Sequence, residues 1–175
     1  VMADDRISFI SAISDYYSGI YIVNIGTDSC RGVKVPPIFR RYLSETGADF
    51  LRSFKQFFTE CGAADEQTDA MMDINYADIG RLLELGGPVQ YTFRRVDGRW
   101  ITLSIYKTLS YSKKLPETLW IFEDSTEKIR QKQDREKLMV QEAEARRDAE
   151  NARSASRQQE ALIMQRDQSL RQATE

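Results

Sequence analysis

The chain has 175 residues, 41% hydrophobic and 30% charged, with a formal net charge of −2. That length accommodates one ordinary domain plus an appendage, and the charge lacks the Lys/Arg excess on which bulk nucleic-acid binding relies. It holds no histidine, which removes imidazole general bases, Ser-His-Asp and Cys-His pairs, His-ligated zinc, His-ligated haem and any phosphoaccepting histidine within these residues.

In chain order, Asp5 to Tyr17 carries Ile7, Ile10, Ala12, Ile13 and Tyr17 at helical spacing and predicts a short amphipathic helix. Ser18-Gly19 breaks it. Ile20 to Ile25 is a β-branched and aromatic run, Gly26-Thr27-Asp28 supplies a turn, and Ser29 to Val35 is the second strand of a hairpin that Pro36-Pro37 ends. Ile38 to Leu85 is mostly helical in pattern. Phe50, Leu51, Phe54, Phe57 and Phe58 make one apolar face, and Asp73 is the expected cap of a stretch holding Tyr76, Ile79, Leu82 and Leu83. Gly86-Gly87-Pro88 is a stop. Val89 to Val96 then meets Ile101 to Thr108 through Asp97-Gly98-Arg99, and Glu117 to Glu123 follows a polar loop around Ser112-Lys113-Lys114. Two strands, a helical crossover and a three-strand meander predict an α+β fold with a five-stranded antiparallel sheet and helices on one face.

Composition changes near Asp124. All 18 aromatic residues precede it, as do the last proline, Pro116, and the last glycine, Gly98. From Thr126 to Thr174 the residues are Glu, Lys, Arg, Gln and Ala with scattered Leu, Ile and Met, a composition for an exposed helix of about 70 Å. Glu142 with Arg146 is one of its four-residue charge pairs. Ile129, Leu138, Ala145, Ala149, Ala152, Ala155, Leu162, Ile163 and Leu170 form a thin Ala-rich seam. A parallel dimeric coiled coil, a lone solvated helix and a segment disordered outside crystals are the three readings. The first is preferred, with Leu138, Ala145, Ala152 and Leu162 on the dimer face.

The order of strands and helices resembles that of PAS domains over Ser18 to Asp124. Glu123-Asp124-Ser125-Thr126-Glu127 resembles the Asp-(Ile/Val)-Thr-Glu sequence that ends many PAS domains and starts their output helix, with Ser125 where an aliphatic residue is usual. Asp97-Gly98-Arg99-Trp100 resembles the hairpin before the fourth PAS strand. The resemblance implies that Asp124 and Thr126 join the last strand to the connector helix. The division is then 1–17 for an N-terminal helix, 18–124 for the PAS-like domain and 125–175 for a signalling helix or coiled coil. The style is similar to input segments of bacterial sensor histidine kinases (two-component systems) and diguanylate cyclases. No Gly-Gly-(Asp/Glu)-Glu-Phe stretch and no kinase glycine box occur in these residues.

The predicted strands are apolar on both faces, so alternation does not say which face is inward. Phe54, Tyr91, Phe93 and Ile105 are candidates for a ligand pocket, with ordinary core packing as the competing reading. Flavin-binding relatives carry an Asn-Cys-Arg-Phe-Leu-Gln motif that neither Thr59-Glu60-Cys61-Gly62 nor Cys30-Arg31-Gly32 matches, so no flavin is expected and no cofactor is named; an unidentified small molecule stays open. Cys30 and Cys61 read as inert thiols in a reducing compartment. Arg94, Arg95 and Arg99 offer an acidic-ligand site or a solvated hairpin. Asp65, Glu66, Asp69 and Asp73 lack EF-hand spacing and read as a solvated linker, with no metal. No catalytic constellation emerges.

No stretch reaches the roughly 18 uncharged apolar residues of a membrane span: the best, Ile7 to Ile25, contains Asp15. No secretory leader is expected. The sequence therefore predicts a cytoplasmic, non-catalytic input module. It forms a homodimer, binds no nucleic acid, inserts in no membrane, and acts on an output domain in the same parent chain. A ligand-free dimerisation scaffold, or the non-catalytic part of a histidine kinase or diguanylate cyclase, is the alternative.

Overall fold

The computed structural model describes residues 18–43 and 46–172. The amphipathic helix expected over Asp5 to Tyr17 lies outside the described residues. The chain divides into two compact units after Glu127.

In the first unit, β1 (Gly19–Asn24) and β2 (Ser29–Lys34) form the opening hairpin. The Asn24 side chain makes the turn: its Oδ1 accepts from the Gly26 and Thr27 amides at 2.9 and 3.1 Å. The crossover runs through α1 (Pro37–Arg40), β3 (Thr46–Ala48), α2 (Phe50–Cys61), α3 (Glu66–Met72) and α4 (Tyr76–Glu84). The meander β4 (Val89–Arg94), β5 (Trp100–Lys107) and β6 (Glu117–Asp124) completes the sheet. Strand order is β3-β2-β1-β6-β5-β4, with every neighbouring pair antiparallel. The first and last long strands therefore meet at the centre, Gly19 opposite Phe122 and Asn24 opposite Glu117.

The sheet has six strands where five were expected. The addition is β3, whose Thr46, Gly47 and Ala48 pair with Arg31, Cys30 and Ser29 at one edge. Three exposed residues, two of them small, carry no apolar alternation to announce a strand. Two crossover assignments also change. Asp73 closes the C-terminal end of α3, in helical conformation at φ −84° and ψ −7°. The cap of α4 is Asn75, extended at φ −139° and ψ 157°, with its Oδ1 2.9 Å from the Asp78 amide. The acidic stretch is not a linker: Asp65 caps α3, accepting from the Thr68 amide and hydroxyl at 3.0 Å each.

The inward face of the sheet bears Tyr21, Val23, Phe93, Ile101, Leu103, Ile105, Trp120 and Phe122, all buried. They alternate with outward residues at the two-residue period of a strand. Onto this face α2 presents Phe50, Phe54, Phe57 and Phe58, each at most 1% exposed. The rings meet edge to face, Phe54 with Trp120 at 5.3 Å and Phe58 with Phe93 at 4.5 Å between centroids. Burying one such side chain stabilises by roughly 1.5–3 kcal/mol, so this aromatic layer fixes α2 against the sheet. Its one indole donor is satisfied inside: Trp120 Nε1 donates to Thr118 Oγ1 at 2.9 Å, and that hydroxyl donates to the Val23 carbonyl at 2.8 Å.

The helix α5 (Thr126–Gln172) is 47 residues long and about 70 Å in length at ~1.5 Å per residue; its first two residues belong to the first unit and the rest to the second. None of its residues is buried.

Candidate functional site: the strand-to-helix junction

The strand β6 stops at Asp124 and α5 starts at Thr126, with Ser125 between them. Asp124 Oδ1 accepts from the Thr126 hydroxyl at 2.6 Å and from the Thr126 amide at 3.1 Å. One of the amides that opens a helix without an intrahelical partner is thereby satisfied by the residue that ends the strand. Asp124 Oδ2 meets Arg99 Nη1 at 3.3 Å. Burial by itself would raise the Asp124 carboxyl. The Thr126 hydrogen bonds and the Arg99 guanidinium outweigh it and hold the group below the usual carboxylate range.

The junction is anchored to β5 through the backbone of Trp100. The Trp100 amide donates to Thr126 Oγ1 at 2.9 Å, and its carbonyl accepts from the Ser125 amide at 2.9 Å. Ser125 stands where an aliphatic residue was the usual choice, and its surroundings explain the exchange. Its side chain is buried and polar, its hydroxyl lies 2.7 Å from Thr102 Oγ1, and that oxygen is 3.2 Å from Thr92 Oγ1. A row of hydroxyls thus runs from the junction across β5 to β4, where an apolar side chain would find no apolar neighbour in the row.

The three hairpin arginines, read as an acidic-ligand site or a solvated group, face carboxylates of this chain. Arg94 Nε is 3.3 Å from Asp65, Arg95 Nη2 is 2.8 Å from Asp97, and Arg99 lies between Asp97 and Asp124. The turn holding them places Gly98 at φ 85°, where a side chain would be strained.

The four pocket candidates separate. Phe54, Phe93 and Ile105 are fully buried; the first two both touch the Phe58 ring, at 4.7 and 4.5 Å. Tyr91 is half-buried on β4, beside an open depression formed by Leu82, Leu85 and the Gly86-Gly87-Pro88 turn. Burial, then the charge of Asp78, raises its hydroxyl pKa. Leu138, Ala145, Ala152 and Leu162 are all exposed along α5; Leu138 is 59% and Leu162 66% accessible. Among the described residues no group of three or more His, Cys, Asp or Glu is placed to hold a metal, and no helix is long and apolar enough to cross a membrane.

Asp28 was legible only as a turn residue, yet it does more. Its carbonyl accepts from the Phe50 amide at 3.3 Å, and its Oδ1 accepts from the Leu51 amide at 2.9 Å and from the Tyr76 hydroxyl. The residue at the N-cap of α2, Asp49, sits left-handed at φ 59° and makes no side-chain cap, so Asp28 caps the helix from the hairpin. Burial and the Asp28 bond push the Tyr76 hydroxyl far up, which keeps it a donor. Burial, then the Asp28 charge, raises the nearby Cys30 thiol as well. Tyr42 donates to Glu60 Oε2 at 2.7 Å, and that bond, then one from Cys61, pushes its hydroxyl up to about 12.

No family model matches this chain, and no curated protein matches it. Among solved structures it is similar to a sensory box histidine kinase/response regulator from Burkholderia thailandensis E264, at 20% identity and a TM-score of 0.45, over 79% of this chain and 98% of that one. It is also similar to an RNA-binding light-oxygen-voltage receptor, at 12% identity and a TM-score of 0.37, over 73% of this chain and 33% of that one. The topology itself carries the assignment. Central β1 lies between β2 and β6, the helical crossover leads from β2 to β4, and a meander returns to the centre: residues 18–124 have a PAS-like α+β fold.

Proposed function

We propose that this chain is a regulatory input module, in which the PAS-like unit acts through the Asp124–Thr126 junction on α5, and α5 acts on an output domain of the same parent chain. The observation that carries this reading is the set of hydrogen bonds by which the first residue of α5 is held to Asp124 and to the backbone of Trp100. A loose linker would need no such bonds, and they commit the start of the helix to the position of two sheet strands. The module is non-catalytic and cytoplasmic. It pairs with a second copy along the exposed seam of α5, and its output is that of a histidine kinase or a diguanylate cyclase. Asp124→Ala and Thr126→Ala, introduced together in the parent protein, are expected to leave the fold intact and abolish regulation of the output. Unchanged regulation would reject the reading.

A second reading is favoured by one observation. Phe54, Phe93 and Ile105 are fully buried, as ordinary core side chains of a scaffold that pairs and binds no ligand would be. Melting curves across a metabolite panel separate the two, since a ligand of the folded state raises its stability by mass action. A reproducible rise of several degrees favours sensing of a small molecule; none across the panel favours the scaffold.

A further inference from the structure

Arg94 ends β4 at a point where three parts of the fold meet. On one side its Nε reaches Asp65 Oδ2 at 3.3 Å. Asp65 is the N-cap of α3, its other oxygen engaged by Thr68. On the other side the Arg94 guanidinium lies over the Trp100 ring, 5.9 Å from its centroid. Arg94 and Trp100 are also cross-strand partners in the β4–β5 ladder. Trp100 is the residue whose amide and carbonyl hold Thr126 and Ser125.

The same corner is closed by backbone. The Arg94 carbonyl accepts from the Ala63 amide at 2.8 Å, and the Val96 amide donates to the Cys61 carbonyl at 3.0 Å. Gly62 lies between them. A Cβ there would stand 2.5 Å from Thr68 Cγ2 and 2.7 Å from the Phe58 carbonyl oxygen, so the turn from α2 into α3 closes only on glycine. The end of α2, the cap of α3, the tip of β4 and the start of α5 are therefore one bonded block. Within it, the Arg94 side chain touches both Asp65 of the crossover and Trp100, whose backbone anchors the junction. Asp65 is 17% and Arg94 46% exposed in this pair, so the contact is a half-exposed ion pair of modest strength.

We propose that Arg94 is a positioning residue that couples the α2–α3 corner to the first turn of α5, holding Asp65 and the Trp100 indole together. A shift of α2, which carries Phe54, Phe57 and Phe58 against the sheet, then reaches the Thr126 anchor through Asp65, Arg94 and Trp100. The meaning of that shift as a signal rests on the function proposed above. The coupling does not, and it is measured in this chain by itself, so either can fail without the other.

The test is residue-resolved amide hydrogen exchange on the whole chain, comparing wild type with Arg94→Gln, with Asp65→Asn and with both together. Asparagine keeps an oxygen for the Thr68 cap and loses the charge for Arg94. Each single variant is expected to exchange about fivefold faster at the Trp100 and Ser125 amides, the scale of one partly shielded ion pair, with Tyr21 and Val23 in central β1 unchanged. The double variant should be no faster than Arg94→Gln alone, because that substitution already removes the contact to Asp65 along with the one to Trp100. Unchanged rates at Trp100 and Ser125 would overturn the proposal. So would equal acceleration at Tyr21 and Val23, which marks general loosening, or full additivity in the double variant.

Discussion

The two units of the chain reach order by different physical means. Between Gly19 and Asp124 the structure is determined from inside: four phenylalanines of α2 interlock with Phe93, Trp120 and Phe122, and polar side chains such as Asp28 and Thr118 secure the elements around them. In α5 nothing is buried. Its order comes from helix-favouring residues and from surface pairs such as Lys132–Glu136 at 3.9 Å. A core with interlocked rings has few arrangements, while a solvated helix takes its position from what holds its ends and from what it meets.

The largest effect that would break this comparison is Phe54→Ala. It removes a fully buried ring that touches Phe50, Phe58, Trp120 and Phe122. It is expected to cost about 3–5 kcal/mol, seen as a large fall in the denaturation midpoint of the first unit. Comparable stability would mean that the aromatic layer does not hold the domain. Asp28→Ala comes next, since it leaves the Leu51 amide and the Tyr76 hydroxyl without their acceptor. A loss of roughly 1–3 kcal/mol is expected in chemical denaturation, with no change in the helix content of α5.

Acid sharpens the junction. The Asp124 carboxyl is held below its unfolded value by Thr126 and Arg99 after opposing burial. A depressed folded value means that its contribution is complete above the unfolded pKa of about 3.9 and is lost as pH falls through the lower folded value. Asp65 and Asp78 titrate in the same sense, the first against burial through Thr68 and Arg94, the second through Asn75 and Arg81. Stability of the wild type is therefore expected to be flat near neutrality and to decline below about pH 4. Asp124→Asn should decline less steeply, and an identical pH profile would remove Asp124 from the account. The smallest effect belongs to α5. Glu142→Ala on its exposed surface should move stability of the first unit by less than ~0.5 kcal/mol. If the chain pairs along α5 as proposed, the wild type has the solution mass of a dimer, and replacing Leu138 and Leu162 by Glu should lower it to that of a monomer without moving the melting transition of the PAS-like unit. An unchanged mass would exclude the α5 seam as the contact.

The same contrast governs what the sequence discloses. The long strands and α5 were legible because their signals are local: β-branched runs, Asp97-Gly98, and the end of aromatic residues at Phe122. β3 was not, since Thr46-Gly47-Ala48 is an edge strand with nothing to bury. Asp73 and Asn75 are two capping residues two positions apart, and only the backbone angles decide between them. With apolar residues on both faces of the strands, the inward face became visible only through the partners of α2. At the junction, Asp124 and Thr126 stood out through the resemblance of Asp124-Ser125-Thr126-Glu127 to the motif that ends PAS domains, and the structure adds the bond between them. The partners of Arg94 and Arg99, 29 and 25 residues away, were not, nor was the bond between Asp28 and Tyr76 across 48 residues. Long-range polar contacts leave no period in a sequence.

The central claim is that Asp124 and the Trp100 backbone hold Thr126, the first residue of α5. Exchange rates of the Arg130 to Asp134 amides, the first that intrahelical bonds protect, test it most directly in wild type against Asp124→Ala/Thr126→Ala. Loss of the junction bonds predicts rates roughly tenfold faster at these amides, as for loss of a helix cap, with Trp120 and Phe122 unchanged. Equal rates in the two proteins would contradict it, leaving α5 a helix that starts at the sheet without being held by it.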